Sequence, residues 1–291
     1  MEIKTLKYFL MIVREQNISK AAARLFLTQP TLTKQMQELE NELGVKLFER
    51  GKRKISLTED GLYLYKKAQE IVELEEITKN SFKNSDKKIG GEISIACGET
   101  YTMNYLLEIF KRIHKENPNI TISLFSGNDE DVRWKLNNGL AEFALFIGLT
   151  NLDNYNFIKL PLYETRGLLM NKNSKLAKKK TIKKEDLENI PLLVSRQIYK
   201  ANELNGWLNK DLSKFNIIGT YNLIYNASLM VKEDSVYAIT IDKLLKDDKE
   251  LVFKKFEPKI TSNIFFARKK YQVLSKAGQL FLDELFKKIE E

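Results

Sequence analysis

Between residues 5 and 61 the apolar residues fall into three short stripes at helical spacing, each closed off before the next begins. Leu6, Phe9, Leu10 and Val13 form the first stripe, one face of an amphipathic helix. Asn17 and Ile18 interrupt it. Ser19 then stands as the N-cap of a second helix, KAAARLF, whose apolar side is Ile18, Ala22 and Leu25. The small Ala21, Ala22 and Ala23 let another helix approach closely. Leu27-Thr28-Gln29 make a short turn, and Pro30 suits the first turn of a third helix, where its missing N–H costs nothing. Leu32, Met36, Leu39 and Leu43 give the third stripe, and Gly44 is its stop.

Thr31, Thr33, Lys34, Gln35 and Gln37 lie off that third stripe, towards the helix N-terminus. Two short helices joined by a tight turn, the second with a polar N-terminal half, make a helix-turn-helix. Such a polar line can hydrogen-bond base edges and phosphates in a major groove. VKLFERGKRKISLTEDG follows. Val45, Leu47 and Phe48 pack beneath the helices. Arg50, Lys52, Arg53 and Lys54 cluster in a glycine-containing hairpin that ends in Ile55-Ser56-Leu57. This reads as a basic wing for the phosphate backbone, with a solvated loop as the blander reading. Thr58-Glu59-Asp60 caps a long helix running to about residue 85, with Leu64, Ala68, Ile71, Leu74 and Ile77 at helical spacing. That stripe favours pairing with a second copy; docking onto its own chain is the alternative.

These residues resemble the LysR-type transcriptional regulators. The resemblance is carried by residues 6–61: a small-residue-rich second helix, Thr28-Gln29-Pro30, Thr33-Lys34-Gln35, Leu39-Glu40, Leu43-Gly44, Leu47-Phe48 and Leu57-Thr58 followed by Gly61. It implies an α+β protein: a winged helix-turn-helix (1–58), a linker dimerisation helix (59–88), and a C-terminal α/β, periplasmic-binding-protein-like effector domain (89–291). Within the last, subdomain I is 89–161 with 267–291, and subdomain II is 162–266. The implied partners are double-stranded promoter DNA, a small-molecule effector, a second copy in a homodimer or homotetramer, and RNA polymerase. Carried over by position, the implied DNA contacts are Gln29, Pro30, Thr31, Thr33 and Lys34, with Arg50, Arg53 and Lys54 on the wing. Ser19 and Lys20 would hold a phosphate through backbone N–H groups.

Asp86 to Gly91 is polar and glycine-marked, a plausible boundary. Beyond it strands and helices alternate: strands at 91–97, 119–127 and 141–148, with helices at 103–116 and 129–139. A second set follows, with strands at 157–170, 191–195, 216–222, 236–241 and 263–270. Its helices fall near 183–189, 198–212 and 224–232, and a closing helix spans 274–289. The alternation argues for a mostly parallel sheet with flanking helices. Ligands in such sheets bind at the carboxyl ends of strands and at helix N-termini. That points to Cys97 to Thr102 with Glu99, Thr100, Tyr101 and Thr102, then Ser126 to Asn128 and Phe146 to Gly148, then Ser195, Arg196 and Gln197, and Asn222 to Asn226. Thr100 and Thr102 match positions where family members hold an acidic effector, and Arg196 suits a carboxylate or phosphate. Glu99, however, puts an acid at the mouth of that site, so a cationic, neutral or absent ligand stays open beside an acidic one.

The formal charge of +9 favours contact with a polyanion. Cys97 is the single cysteine, which excludes an internal disulfide framework, and His114 is the single histidine. Each reads as an ordinary helix or strand residue, and the common nucleophile, phosphate-loop and metal motifs are missing. No catalytic residue, metal or cofactor is therefore assigned. An α/β solute-binding protein, an enzyme without an evident catalytic constellation, or a winged-helix regulator of another family are the competing readings. Apolar runs such as FALFIG (143–148) are too short to span a bilayer, and MEIKTLKYFL lacks the pattern of an export signal. No membrane partner and a cytoplasmic location are expected.

Overall fold

The computed structural model describes residues 1–50, 55–82, 90–148, 151–201, 204–233 and 235–290, without the side chains of Arg50, Asn80, Ser81, Phe82 and Ala201. The chain divides into two compact units, Met1–Phe82 and Lys83–Glu291.

In the first unit α1 (Ile3–Glu15) buries Leu6, Phe9 and Ile12. The inward stripe thus turns through Ile12, and Leu10 and Val13, expected on it, flank the core half-buried. The helix α2 (Ile18–Arg24) begins two residues earlier than expected. Asn17 is extended, and its side chain accepts the Lys20 N–H at 2.9 Å. Asn17 is therefore the cap, and Ser19 lies exposed inside the first turn. In α3 (Gln29–Leu43) Thr28 is the cap, Pro30 sits in the first turn, and Leu32, Met36 and Leu39 face inward. Leu43 ends the helix exposed at 38% rather than completing the stripe. Gly44 follows with φ +71°, a left-handed closing residue that glycine adopts without strain.

The strands β1 (Phe48–Arg50) and β2 (Ile55–Leu57) pair antiparallel with Phe48 opposite Leu57. The connecting residues 51–54, including Lys52, Arg53 and Lys54, lie outside the described residues. Helix α4 (Glu59–Phe82) starts where the Thr58 hydroxyl accepts the Gly61 N–H at 2.9 Å. Its Leu64 and Ala68 are buried in the same core as Leu6 and Phe9, with Ile71 packed beside them. A Lys7–Glu75 ion pair at 2.8 Å fastens α1 to α4. The first half of the α4 stripe is thus covered by its own chain, because α1 runs alongside it; further along, Leu74 is 43% exposed.

The second unit contains one nine-stranded sheet among the described residues. In its first part β3 (Gly91–Cys97), α5 (Met103–Glu116), β4 (Ile120–Ser126), α6 (Asp129–Asn137) and β5 (Phe143–Ile147) follow in order. β3 lies parallel between β4 and β5. The 17-residue β6 (Tyr155–Asn171) then leads into β7 (Leu192–Ser195), α7 (Arg196–Ala201), α8 (Asn205–Leu208), β8 (Ile217–Tyr221), α9 (Ile224–Lys232), β9 (Tyr237–Ile241) and β10 (Leu251–Lys255). The long β11 (Thr261–Lys269) and α10 (Lys276–Glu290) close the chain.

Strand order is β4-β3-β5-β11-β6-β9-β7-β8, with β10 paired to β6. The sheet is mixed rather than mostly parallel. β6 and β11 run in opposite directions and pair with each other from Thr165–Thr261 to Tyr155–Lys269; every ladder they enter is antiparallel, and the parallel ladders are those of β3 with β4 and β5 and of β7 with β8 and β9. In the first half Ile93, Ile95, Phe143 and Phe266 pack on one face against Leu106, Phe281 and Leu285. Ala96, Ala144 and Phe146 pack on the other against Val132 and Leu136 of α6. Each fully buried Phe or Leu contributes about 1.5–3 kcal/mol. The second half has its own two clusters, centred on Leu168, Val194 and Ile239 and on Leu169, Leu193 and Val231.

Three expected elements differ. The helix expected near 183–189 is one 3-10 turn, Lys184–Leu187, which ends where Glu188 is extended and Asn189 turns left-handed at φ 64°. The helix expected at 198–212 is interrupted, and Asn209 sits left-handed at φ 53° after α8. β10 was not foreseen; it gains its strand character by pairing with β6 from Leu251–Asn171 to Lys255–Gly167.

Candidate nucleic-acid interface and effector cleft

On α3 the candidate reading residues are held in place by one another. The Thr28 hydroxyl lies 2.7 Å from the Thr31 hydroxyl, and the Gln29 amide donates to the Thr33 hydroxyl at 2.9 Å. Gln29, Pro30, Thr31 and Lys34 are exposed and Thr33 is half-exposed, while Leu32 and Met36 between them are buried. Period 3.6 does this: residues 29, 33 and 30, 34 share one side, and 32, 36 and 39 the other. The first turn holds no acid, so the positive end of the helix is not neutralised. Lys34 lies 3.8 Å from Glu38, both side chains exposed.

At the start of α2, Ser19 and Lys20 are exposed. The expectation that both backbone N–H groups are open to a phosphate needs correcting: Asn17 already takes the Lys20 N–H. Lys20 therefore offers its ammonium rather than its amide. Of the wing residues, Arg50 ends β1 with its side chain outside the described set, and Arg53 and Lys54 are outside it altogether.

In the second unit a cavity of about 80 Å³ lies between the two halves of the sheet. Glu99 enters from beyond the end of β3 and Asn128 from the cap of α6; from the second half come Ser195 at the end of β7, Gln197 in α7, and Tyr221, Asn222 and Thr240. Arg166, 5% exposed, enters from β6. Burial pushes the Tyr221 phenol well up, against the pull of Thr240 and the Arg166 guanidinium; its hydroxyl donates to the Ile239 carbonyl at 2.6 Å.

Of the residues singled out from sequence, Glu99, Asn128, Ser195, Gln197 and Asn222 line this cavity. Arg196 lines a neighbouring one with Asp129, Glu130 and Lys200. Thr100 and Thr102 turn elsewhere: both hydroxyls donate to the buried Glu164 carboxylate, Thr102 at 2.7 Å. With Tyr101, Thr102 borders a third cavity beside Tyr163 and Lys243. Ser126 and Asn226 are exposed, and Gly148 is buried with its N–H given to the Asn263 carbonyl; none of the three borders these cavities as described. Arg166, Tyr221 and Thr240 were missed. A lone arginine inside the apolar run of β6 was the signal available for the first.

Cys97 is 4% exposed and burial pushes its thiol up to about 11, which leaves it protonated and unreactive. His114 is a surface helix residue whose Nδ1 lies 2.8 Å from the Ile120 carbonyl.

Residues 3–62 match the bacterial regulatory helix-turn-helix proteins of the lysR family, and residues 87–289 match the LysR substrate binding domain. The chain belongs to the LysR family of transcriptional regulators. It is a DNA-binding regulator with an effector-binding domain, as its two matched parts require. The transcriptional regulator BsdA of Bacillus subtilis is 29% identical over 212 residues, 72% of each chain. The transcriptional regulator SoxR of an Arthrobacter strain is 32% identical over 213 residues, 72% of this chain and 70% of that one. Among solved structures, full-length CbnR in complex with its target DNA has a TM-score of 0.79 at 22% identity and covers 99% of both chains. CbnR, described as a LysR-family regulator, has a TM-score of 0.80 at 21% identity over the whole of both. At these identities the likeness shows the LysR fold. No helix among the described residues is long and apolar enough to cross a membrane.

Proposed function

We propose that this LysR-family regulator reads its operator with Gln29, Pro30, Thr31, Thr33 and Lys34 in the major groove. Ser19, Lys20, Arg50, Arg53 and Lys54 hold the flanking phosphates. The division into a reading head (1–58), a linker helix (59–88) and an effector domain (89–291) belongs to the same proposal. So does a homodimer or homotetramer that contacts RNA polymerase at promoter DNA in the cytoplasm, without catalysis of its own. A small effector in the cavity between the two halves of the second unit shifts the balance of conformations, provided it binds one better than the other. Glu99 and Ser195, singled out from sequence, stay in the proposed effector site with Arg166, and Arg196 lines the cavity beside it; Thr100, Tyr101, Thr102, Ser126, Gly148 and Asn226 are left out of it.

The observation that supports this reading best is the bare polar line on α3, with its apolar partners buried behind it and no acid in its first turn. Gel-shift titration of the protein's own promoter DNA tests it. Thr33→Ala and Lys34→Ala are each expected to weaken binding by about tenfold, with circular dichroism unchanged. Wild-type affinity in both variants would defeat the assignment.

A further inference from the structure

The turn that joins α2 to α3 closes on a residue the backbone disfavours. Helix α2 has Leu25 as its C-cap, and the next two backbone N–H groups fold back onto it. Phe26 donates to the Ala23 carbonyl at 3.2 Å and Leu27 to the Ala22 carbonyl at 2.9 Å. This pair of bonds closes a helix by turning the first residue past its end left-handed. Glycine fills that position most often, because it has no Cβ to clash. Here Phe26 fills it, at φ 55°. A bulky side chain is an outlier in that region. Packing within the first unit does not compensate, since Phe26 is 96% exposed. Its neighbours behave otherwise: Leu25 and Leu27 pack half-buried against the core. Among the described large apolar side chains of the first unit the next most exposed is Tyr63, at 68%. The ring thus gains nothing from the chain that carries it, and strain of this kind collects where a residue serves binding.

The position of the ring says what covers it. Phe26 stands two residues before Thr28, the cap of α3, so the two Cα atoms lie within about 7 Å of each other. Thr28, Gln29, Pro30 and Thr31 follow, all exposed, and begin the polar line of α3. Phe26 therefore extends the proposed DNA-reading surface rather than founding another. The major groove presents one apolar group, the C5-methyl of thymine; the other features of its base edges are hydrogen-bond donors and acceptors. We infer that Phe26 is a specificity-determining residue of the reading head, whose ring covers a thymine methyl at the edge of the α3 footprint. The inference rests on reading α3 as the helix that enters the groove. Burial of the ring on the duplex offsets the strain carried by the free protein, so the residue disfavours the fold and favours the complex.

Fluorescence anisotropy of the full chain on its own promoter DNA tests this, with urea midpoints measured alongside. Phe26→Gly supplies the residue that the left-handed turn favours and removes the ring. Its midpoint is expected at or above that of wild type, and its promoter affinity about tenfold lower. Phe26→Asn, which also tolerates the left-handed region, should follow it in both respects. Promoter DNA carrying uracil in place of thymine lacks the methyl groups. Wild type should bind it about fourfold or more weakly, and Phe26→Gly should lose clearly less between the two DNAs. Wild-type promoter affinity in Phe26→Gly overturns the inference, as does an equal uracil penalty in both proteins. A midpoint below wild type in both variants would mean that the ring supports the fold, against the inference. A smaller mass of the DNA-free Phe26→Gly protein by light scattering would put the ring at a contact between copies, with the same consequence. Thr33→Ala and Lys34→Ala separate the two levels. If both bind like wild type, the reading of α3 fails and the inference with it. If they weaken binding and Phe26→Gly does not, the reading stands and the role of Phe26 alone is lost.

Discussion

Glu40 and Glu142 are buried carboxylates, one in each compact unit, and their pH responses have opposite signs. Burial pushes the Glu40 carboxyl up, but the Lys46 ammonium at 2.8 Å and the Leu47 N–H at 2.8 Å outweigh it, so it lies below the usual carboxylate range. Its stabilisation is present above the unfolded-state pKa and lost as pH falls through the folded one. Burial dominates at Glu142 and holds its carboxyl above the usual range, despite bonds from the Ser275 N–H and hydroxyl. There the stabilisation is present at low pH and lost as pH rises through the folded pKa. Scanning calorimetry across pH should therefore show Glu40→Ala destabilised by about 2 kcal/mol near neutrality, with the deficit shrinking in acid. Glu142→Gln, which cannot ionise, should be stabilised relative to wild type near neutrality and gain nothing in acid. Shifts of the same sign in both variants would refute this account. Glu40 also shows what was legible in the sequence. Leu39-Glu40 and Leu47-Phe48 were readable as signature residues, but not that the glutamate caps the Leu47 amide seven residues on.

At the scale of elements, two glycines of the first unit do different work. A Cβ at Gly61 would run into the Leu47 carbonyl oxygen, which already accepts the Thr58 N–H, so α4 can start only if its third residue has no side chain. Gly44 has nothing within 4 Å of where a Cβ would stand, and its cost is conformational alone, at φ +71°. Gly61→Ala is expected to lose more than about 2 kcal/mol through overpacking, and Gly44→Ala about 1 kcal/mol through the left-handed backbone. Denaturant midpoints of the two variants check the order; a Gly61→Ala midpoint at or above that of Gly44→Ala sinks it. The helices of the first unit were legible because each carries its own stripe and stop. The second unit was less so. Periodicity could not show that residues 198–212 break at Asn209, nor that LVFKK would find an edge on β6. Those outcomes are set by partners far away in sequence. The cavity suffered likewise: Glu99 and Ser195 stand at strand ends, where sequence can place them, while Arg166 reaches it from the middle of a strand that crosses both halves.

For the whole molecule, charge and copy number are joined. The net charge of +9 is spread over 48 basic and 39 acidic residues, so long-range attraction to DNA is modest and the local set of cations must carry the salt dependence. The proposed phosphate-holding side chains are Lys20, Arg50, Arg53 and Lys54. If each neutralises one phosphate, a single head gives a slope of log affinity against log salt of about −3.6, and two heads on one operator about −7. The exposed Leu62, Tyr63 and Leu74 of α4 are apolar surface that a second copy would cover, while Leu64 and Ala68 are already spent within the chain. Fluorescence anisotropy with the full operator, from low to physiological salt, should therefore give the steeper slope. The isolated half-site should give the shallower one, and Lys20→Ala should reduce the operator slope by about 2, one phosphate for each head. A slope near −3.6 on both DNAs would mean that one head binds alone, and the paired arrangement would have to be abandoned.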